Sequence, residues 1–437
     1  MTINHIAVKV PEILLPKTGI DLSKWAVIAC DQFTSQPEYW HQVANYVSTS
    51  PSTLHMILPE VFLGGGEEAI QIKKTTQTMR EYLDEDLFQQ INGMIYVERT
   101  IDGRKRHGLM ICLDLESYDF SKNSSSLIRA SEGTILERIP PRVRIRQDAL
   151  LEIPHILVLY DDPEDKVLSP IKENLHQMDL CYDFDLMMSS GSLSGWKVND
   201  PQITSTVLTA LDQMADPQKF CEKYDLPTGS SPLLFAVGDG NHSLATAKTI
   251  WEQIKEKVEM DHPARYALVE IENLYDPALE FESIHRVLFE SPASVSTALL
   301  SYFGQDVEIR RMNGLSELTN QVDQYNQPGQ TFGLLNSDGY YLVRISNPKS
   351  NLPVGTLQVF LDDLLSTIPG TKIDYIHGTE VLDNLAQQPG NTGFYLPALA
   401  KDDFFRTVIK DGALPRKTFS MGEAREKRFY MECRRIK

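Results

Sequence analysis

The chain has 437 residues, of which 42 % are apolar and 23 % charged, and a formal charge of −18 at pH 7. That composition excludes a wholly disordered chain and leaves room for one large core or two to three smaller ones. The acidic balance repels phosphate backbones, which makes duplex nucleic acid a poor partner, and the absence of a run of 18 or more apolar residues or of a basic-then-apolar leader in MTINHIAVKVPEILLP implies neither a membrane span nor a signal peptide.

In chain order, Trp25 to Cys30 (WAVIAC) reads as a buried strand, with Asp31 and Gln32 where the chain leaves the sheet. Gly64, Gly65 and Gly66 precede Glu67 and Glu68, whose charges favour a helix start and oppose phosphate, so a plain turn is expected. Met94 to Arg99 and Arg106 to Leu115 form a hairpin around Asp102-Gly103, with a loop expected to exceed two residues. From Arg129 to Arg146 five arginines stand against Glu132 and Glu137; Arg142, Arg144 and Arg146 alternate with Val143 and Ile145, so an extended segment would place all three guanidinium groups on one face. Ile156 to Tyr160 is another buried strand, and Asn199 to Tyr224 is mainly helical, with Val207, Leu208, Leu211 and Met214 at helical spacing.

Leu233 to Val237 then predicts a strand, Gly238 to Ser243 a turn, and the residues to about Lys257 a helix, before the strand Ala264 to Glu272. Between Ser291 and Lys349 the pattern is helix, strand, helix, strand, strand. Beyond Pro353, a helix bearing Leu357, Phe360, Leu361 and Leu364 leads to the strand Lys372 to Ile376, and the chain closes with a strand over Arg428 to Cys433. The predicted class is therefore mixed α/β: a main domain over 1–290, a small α+β insertion over 291–350, and a segment over 351–437 that returns to the main domain.

The turn GDGNHS is the strongest candidate site. Two glycines, Gly238 and Gly240, let the backbone approach a ligand, Asn241 or Ser243 can cap the helix, and the first helical amides attract anions. Asp239 repels a bare pyrophosphate but suits one carried with a divalent cation, which makes metal-linked phosphate the specific expectation and Asp239 its metal ligand. A dinucleotide site fits less well, since Asp239 lies where the pyrophosphate would pass, and the chain has no G-x-x-x-x-G-K-[ST] loop, HExxH or G-x-S-x-G motif. His242, His285-Arg286 and His377 could reach a cleft from a loop or strand end. Pro415 to Lys437 carries eight basic residues against three acidic, among them Arg416 and Lys417, a second reserve of positive charge. The five cysteines are scattered, as buried thiols in a reducing compartment would be.

Four strings, VIACDQFTSQPEYW (Val27 to Trp40), IRASEGTILERIPPRVRIR (Ile128 to Arg146), AVGDGNHSLATAK (Ala236 to Lys248) and LPRKTFSMGEA (Leu414 to Ala424), resemble the bacterial domain-of-unknown-function 1015 family. Its central motif resembles A-D-G-H-H-R-x-x-x-A, which is similar to the D-G-H-x-R loop of the ParB and sulfiredoxin-like superfamily, home to partition nucleotidases and free-serine kinases. The resemblance implies a nucleotide phosphate site at Asp239, Gly240, Asn241 and His242. Ser243 stands where the superfamily places a phosphate-binding arginine, so the positive charge would come from elsewhere, with Arg129, Arg138, Arg142, Arg144, Arg416 and Lys417 as the donors.

The resulting expectation is a cytoplasmic, magnesium-assisted phosphotransferase that moves a phosphoryl group from ATP or ADP to a small hydroxylated metabolite of the free-serine type. Asp239 would hold the metal, Asp31 or Glu132 would act as base, and His242 would stand beside them. A non-catalytic sensor for an anionic metabolite is the alternative, and a ParB-like nucleotidase or DNA-associated protein the weaker one. The expected partners are a small anionic substrate and a further copy of the chain, with no membrane.

Overall fold

The computed structural model describes residues 2–291, 294–368 and 370–437; Met1, Pro292, Ala293 and Pro369 lie outside the described residues. The chain divides into two units, Met1–Leu279 with Gly422–Lys437, and Glu280–Met421.

The first unit is built on a mixed sheet. The strands of this unit that bear on the site are β1 (Val27–Ile28), β2 (Met94–Ile101), β3 (Arg104–Asp114), β4 (Tyr118–Asp119), β5 (Ile128–Ala130), β6 (Leu157–Tyr160), β7 (Leu180–Asp185), β8 (Ser192–Val198), β9 (Phe235–Asp239), β10 (Tyr266–Asn273) and β11 (Phe429–Tyr430). The main path runs β7-β8-β2-β3-β10-β6-β9-β5-β4, while β1 and β11 form a separate antiparallel pair. The pairs β6–β10, β9–β5 and β4–β5 are parallel; the other neighbours on the path are antiparallel.

Side chains of a strand alternate between faces, and here both faces are buried. On one side Met94, Tyr96, Leu109, Ile111, Val269 and Ile271 pack with α2 (Pro201–Met214) and α4 (Asn241–Ile254) through Val207, Leu211, Leu244 and Trp251. On the other, Ile95, Val97, Met110, Cys112 and Leu268 pack with Trp25, Trp40, Val43, Phe429 and Tyr430. Asp200 caps α2 by accepting from Gln202 N and Ile203 N, and Asp216 caps α3 (Pro217–Tyr224) by accepting from Lys219 N, so local chemistry sets both starts.

Several local expectations change. Ile101 pairs directly with Arg104, so the hairpin loop is the two residues Asp102-Gly103, at φ 48° and 76°. Two successive left-handed residues twist the turn in the sense of the strands, which removes the need for a longer loop. Trp25 ends a short helix, Leu22–Trp25, and only Val27–Ile28 is strand. The predicted strand over Arg428 to Cys433 is reduced to its partner Phe429–Tyr430. Residues Ile139–Arg146 form the helix α1, not an extended segment, with two prolines in its first turn, where the missing N–H groups cost nothing. At about 100° per residue, Arg144 points away from Arg142 and Arg146, and the shared face is lost.

The second unit holds an antiparallel sheet in the order Val307–Met312, Gly339–Ile345, Gln330–Asn336, Thr392–Tyr395, Phe281–Phe289 and Lys372–His377, with Phe419–Met421 on the far end of Phe281–Phe289. It is longer than the 291–350 insertion because the strands of 281–289, 372–377 and 392–395 complete that sheet. The helices Val295–Phe303 and Leu315–Asp323 follow the expected element order, and Pro353–Thr367 lies where the apolar spacing places it. Among the described residues no helix is long and apolar enough to cross a membrane, and the five cysteines are free.

Candidate functional site

The site forms where β9 ends. Because β6 runs antiparallel to β9, with Leu157 opposite Asp239, the start of β6 stands beside the end of β9. The parallel strand β5 brings Ser131 and Glu132 out at the same edge. Strand ends that feed a helix are where open α/β sheets place ligands.

Gly240 makes the turn. It holds φ 79°, serves as N-cap of α4, and a Cβ there would meet Ile156 Cα at 3.0 Å. Neither Asn241 nor Ser243 caps the helix; Ser243 N and Leu244 N donate to Gly240 O at 2.9 and 3.0 Å. The amides of Asn241 and His242 precede any helical acceptor, as first-turn amides must. Asn241 Oδ1 is buried and makes no hydrogen bond among the described residues.

Freed from capping, Ser243 Oγ sits 3.1 Å from His155 Nε2, two residues ahead of β6. His155 Nδ1 is 2.9 Å from the Tyr430 hydroxyl, which accepts from Cys30 N at 3.1 Å. Asp31 Oδ2 lies 3.7 Å from His155 Nε2, and Asp31 Oδ1 accepts from Gln32 Nε2 at 3.0 Å. Burial pushes the Asp31 carboxyl up, but the charge of His155, then the Gln32 amide, Lys427 and Arg142, pull harder, and the net shift is below the ordinary carboxylate value. Asp31 is therefore an anion at neutral pH. Asp239 accepts from Gly240 N through Oδ1 at 2.9 Å, while its Oδ2 is 3.3 Å from Lys427 Nζ. The cation at this loop is thus Lys427, with Ser243 turned to His155.

The remaining candidates separate into those near this cluster and those held elsewhere. His242 Nε2 accepts from Ile135 N at 3.2 Å; burial first, then Arg142 and Arg138, push its pKa down to about 4, so it is neutral. Arg142 pairs with Glu60, and burial raises the Glu60 carboxyl despite that partner. Arg144 pairs with Glu68 at 2.9 Å and Arg146 with Glu152 at 2.5 Å, so all three arginines of α1 already face a carboxylate. Arg138 is exposed and Glu132 half-buried just after β5. Arg129 is buried in β5, and its guanidinium donates to the carbonyls of Ser126, Ser231 and Pro232.

His285, Arg286, His377, Arg416 and Lys417 belong to the second unit. There His285 Nδ1 accepts from Leu396 N at 3.1 Å, and the fully buried Arg286 donates to the carbonyl of Arg416 at 3.1 Å and lies over the Tyr375 ring, as Arg416 does. Of the basic C-terminal stretch, Arg428 is buried with Glu270 at 2.7 Å and Glu432 at 2.6 Å, and Arg434 with Glu152 at 2.6 Å. These cations serve the interior.

A cleft with a volume of about 140 Å³ opens at the cluster. Cys30, His155, Ser243 and Tyr430 line one part, Arg142 with Glu60 and Arg146 with Glu152 stand in its wall, and the rest is mainly hydrocarbon. Among the described residues no group of three or more His, Cys, Asp or Glu side chains could hold a metal ion. A magnesium ion that arrives on phosphates needs only one or two protein carboxylates, and Asp239 fits that lesser demand.

His155, Glu60, Lys427 and Tyr430 are site residues that sequence reasoning missed. A histidine after Pro154 at a strand start carries no local mark, and the hydrogen bond between Cys30 and Tyr430 joins positions 400 residues apart.

Fold and site together define a mixed α/β protein with a largely apolar cleft, polar on one part, beside the carboxyl end of an interior strand. The chain belongs to the family described as protein of unknown function (DUF1015), whose model matches residues 14–363. No curated protein matches it in sequence. Among solved structures it is similar to two of free serine kinase variants, one in complex with AMP and one with ADP, each at TM-score 0.40 and 9 % identity over 75 % of this chain and 92 % of that chain. It is also similar to a conserved hypothetical protein from Pyrococcus furiosus, at TM-score 0.35 and 8 % identity over 71 % and 89 % of the two chains. Values at this level are too low to define a shared fold.

Proposed function

We propose that this cleft transfers a phosphoryl group from a nucleotide to the hydroxyl of a small metabolite. The observation that carries the reading is the convergence of an ionised Asp31, the Asp239–Lys427 pair and the first turn of α4 on one strand end. Each part has a separate task. Asp31 takes the proton of the acceptor hydroxyl, the oxygen attacks the terminal phosphorus, the bridging P–O bond breaks, and the shortened nucleotide leaves with that electron pair. Lys427 and the α4 amides meet phosphate charge, and His155 orients Asp31. Asp239 would hold a magnesium ion carried on the nucleotide, which supplies charge neutralisation. The resemblance of Gly238 to Ser243 to the D-G-H-x-R loop supports ATP or ADP as donor.

The test is nucleotide turnover across hydroxy and amino acids with magnesium, using the wild type and Asp31→Asn. The expected result is turnover that falls by a factor of roughly 10² or more in Asp31→Asn with little change in nucleotide affinity, the scale of a lost general base. No turnover and no thermal shift with any nucleotide would end the proposal.

A second reading, a sensor for an anionic metabolite, rests on Lys427 and the first amides of α4, which can hold an anion at the turn without any chemistry. Asp239→Asn separates the two, since a sensor keeps its anion affinity and an enzyme loses turnover.

A further inference from the structure

The cleft is open on one side, and its enclosed part is small. Pockets that enclose drug-sized ligands run to about 300–1,000 Å³, against about 140 Å³ here. A buried apolar cavity of about 150 Å³ takes one benzene ring. The nucleotide of the proposed reaction is therefore placed at the half-buried turn of Gly238 to Ser243, and the enclosed part of the cleft is left for the other substrate.

Its lining says what that substrate is made of. Met56, Leu58, Met79, Ile145, Ile153 and Ile156 present hydrocarbon, while His155 and Ser243, hydrogen-bonded to each other at 3.1 Å, present polar atoms. The charged groups in the wall, Arg142 with Glu60 and Arg146 with Glu152, are already matched in pairs. A zwitterion such as serine would have to separate those pairs and would leave the hydrocarbon facing water. An uncharged body with one hydroxyl satisfies both parts.

We infer that the acceptor is an alcohol on a compact hydrocarbon body, aromatic or branched, with its hydroxyl toward His155 and Ser243, where His155 Nε2 stands 3.7 Å from Asp31 Oδ2, and its body against Ile145 and Met79. This rests on the phosphotransfer reading for the word acceptor; the cavity's preference for such a ligand does not. Side chains of α1 set the specificity, because Ile145 forms wall without belonging to the deep core.

The experiment is a titration of the full chain, without nucleotide, with benzyl alcohol, propane-1,2-diol and L-serine, read by calorimetry or ligand-observed NMR. Benzyl alcohol is expected to bind about tenfold or more tightly than either polar probe, on the scale by which apolar pockets discriminate. Ile145→Asn and, separately, Ile57→Asn, both half-buried positions that line the cavity, should reduce that preference at least about fivefold while the thermal midpoint shows a folded protein. Equal or tighter binding of serine or the diol, no saturable binding of benzyl alcohol, or an unchanged preference in a folded variant overturns the inference. Preference for benzyl alcohol with no nucleotide turnover sinks the phosphotransfer reading alone, and turnover on serine without that preference sinks this inference alone.

Discussion

The backbone N–H of Ile135 donates to Nε2 of His242 at 3.2 Å, and the backbone N–H of Leu396 donates to Nδ1 of His285 at 3.1 Å. Each ring must offer a lone pair, so each must be neutral. Burial, then neighbouring arginines, hold both pKa values near about 4, below the ordinary 6.5. In the unfolded chain both histidines take a proton first as pH falls, so their contribution to stability is complete above about 6.5 and is lost between there and about 4. Thermal midpoints measured from pH 7 to 4.5 should fall in that window. His242→Gln and His285→Asn, which keep an acceptor near the same place without a titratable group, should flatten the fall; an unchanged slope in both would refute the assignment.

Lys427 is the cation closest to the loop, at 3.3 Å from Asp239 Oδ2. If it meets phosphate in the nucleotide complex, Lys427→Met removes one charged hydrogen bond, worth about 1.5–3 kcal/mol. Nucleotide affinity should drop roughly 10- to 100-fold, the salt dependence of binding should weaken, and an unaltered affinity by calorimetry would remove Lys427 from the site.

Arg428 satisfies two buried carboxylates, Glu270 and Glu432, and also donates to the carbonyls of Pro154 and Phe429. Removing it strands both anions in the interior, which costs about 3–5 kcal/mol for one broken buried pair. Arg428→Met should lower unfolding stability on that scale by denaturant titration, and Glu270→Gln combined with Glu432→Gln in the same background should recover part of it.

Gly240 lies in left-handed backbone at φ 79°, with Ile156 Cα 3.0 Å from where a Cβ would stand. Gly240→Ala should cost roughly 1–3 kcal/mol, from the conformation and the contact together. The same change should weaken nucleotide binding by moving the first amides of α4, whereas Gly103→Ala, at a left-handed turn glycine with no neighbour within 4 Å, should lower stability through the conformational cost alone.

The mixed α/β class and most element positions are legible in the amino-acid pattern alone. The buried strand Leu157–Tyr160 is a continuous apolar run, and Val207, Leu208 and Leu211 repeat at helical spacing; both signals are short-range, and burial in a sheet or against one face is their direct consequence. The pattern also marked the Gly238 to Ser243 turn, because glycine takes the left-handed backbone of Gly240 without the cost a side chain adds. It could not tell that α1 winds into a helix, since alternating Arg and Ile fit either period until neighbours choose. Only the tertiary structure brought His155, Lys427 and Tyr430 to Asp31 and Asp239, and only it matched Arg142 to Glu60, Arg434 to Glu152 and Arg428 to Glu270. Pairings across tens to hundreds of residues leave no local pattern: whether an arginine awaits a phosphate or neutralises a buried carboxylate depends on which chain segment packs beside it, and packing is a property of the folded whole.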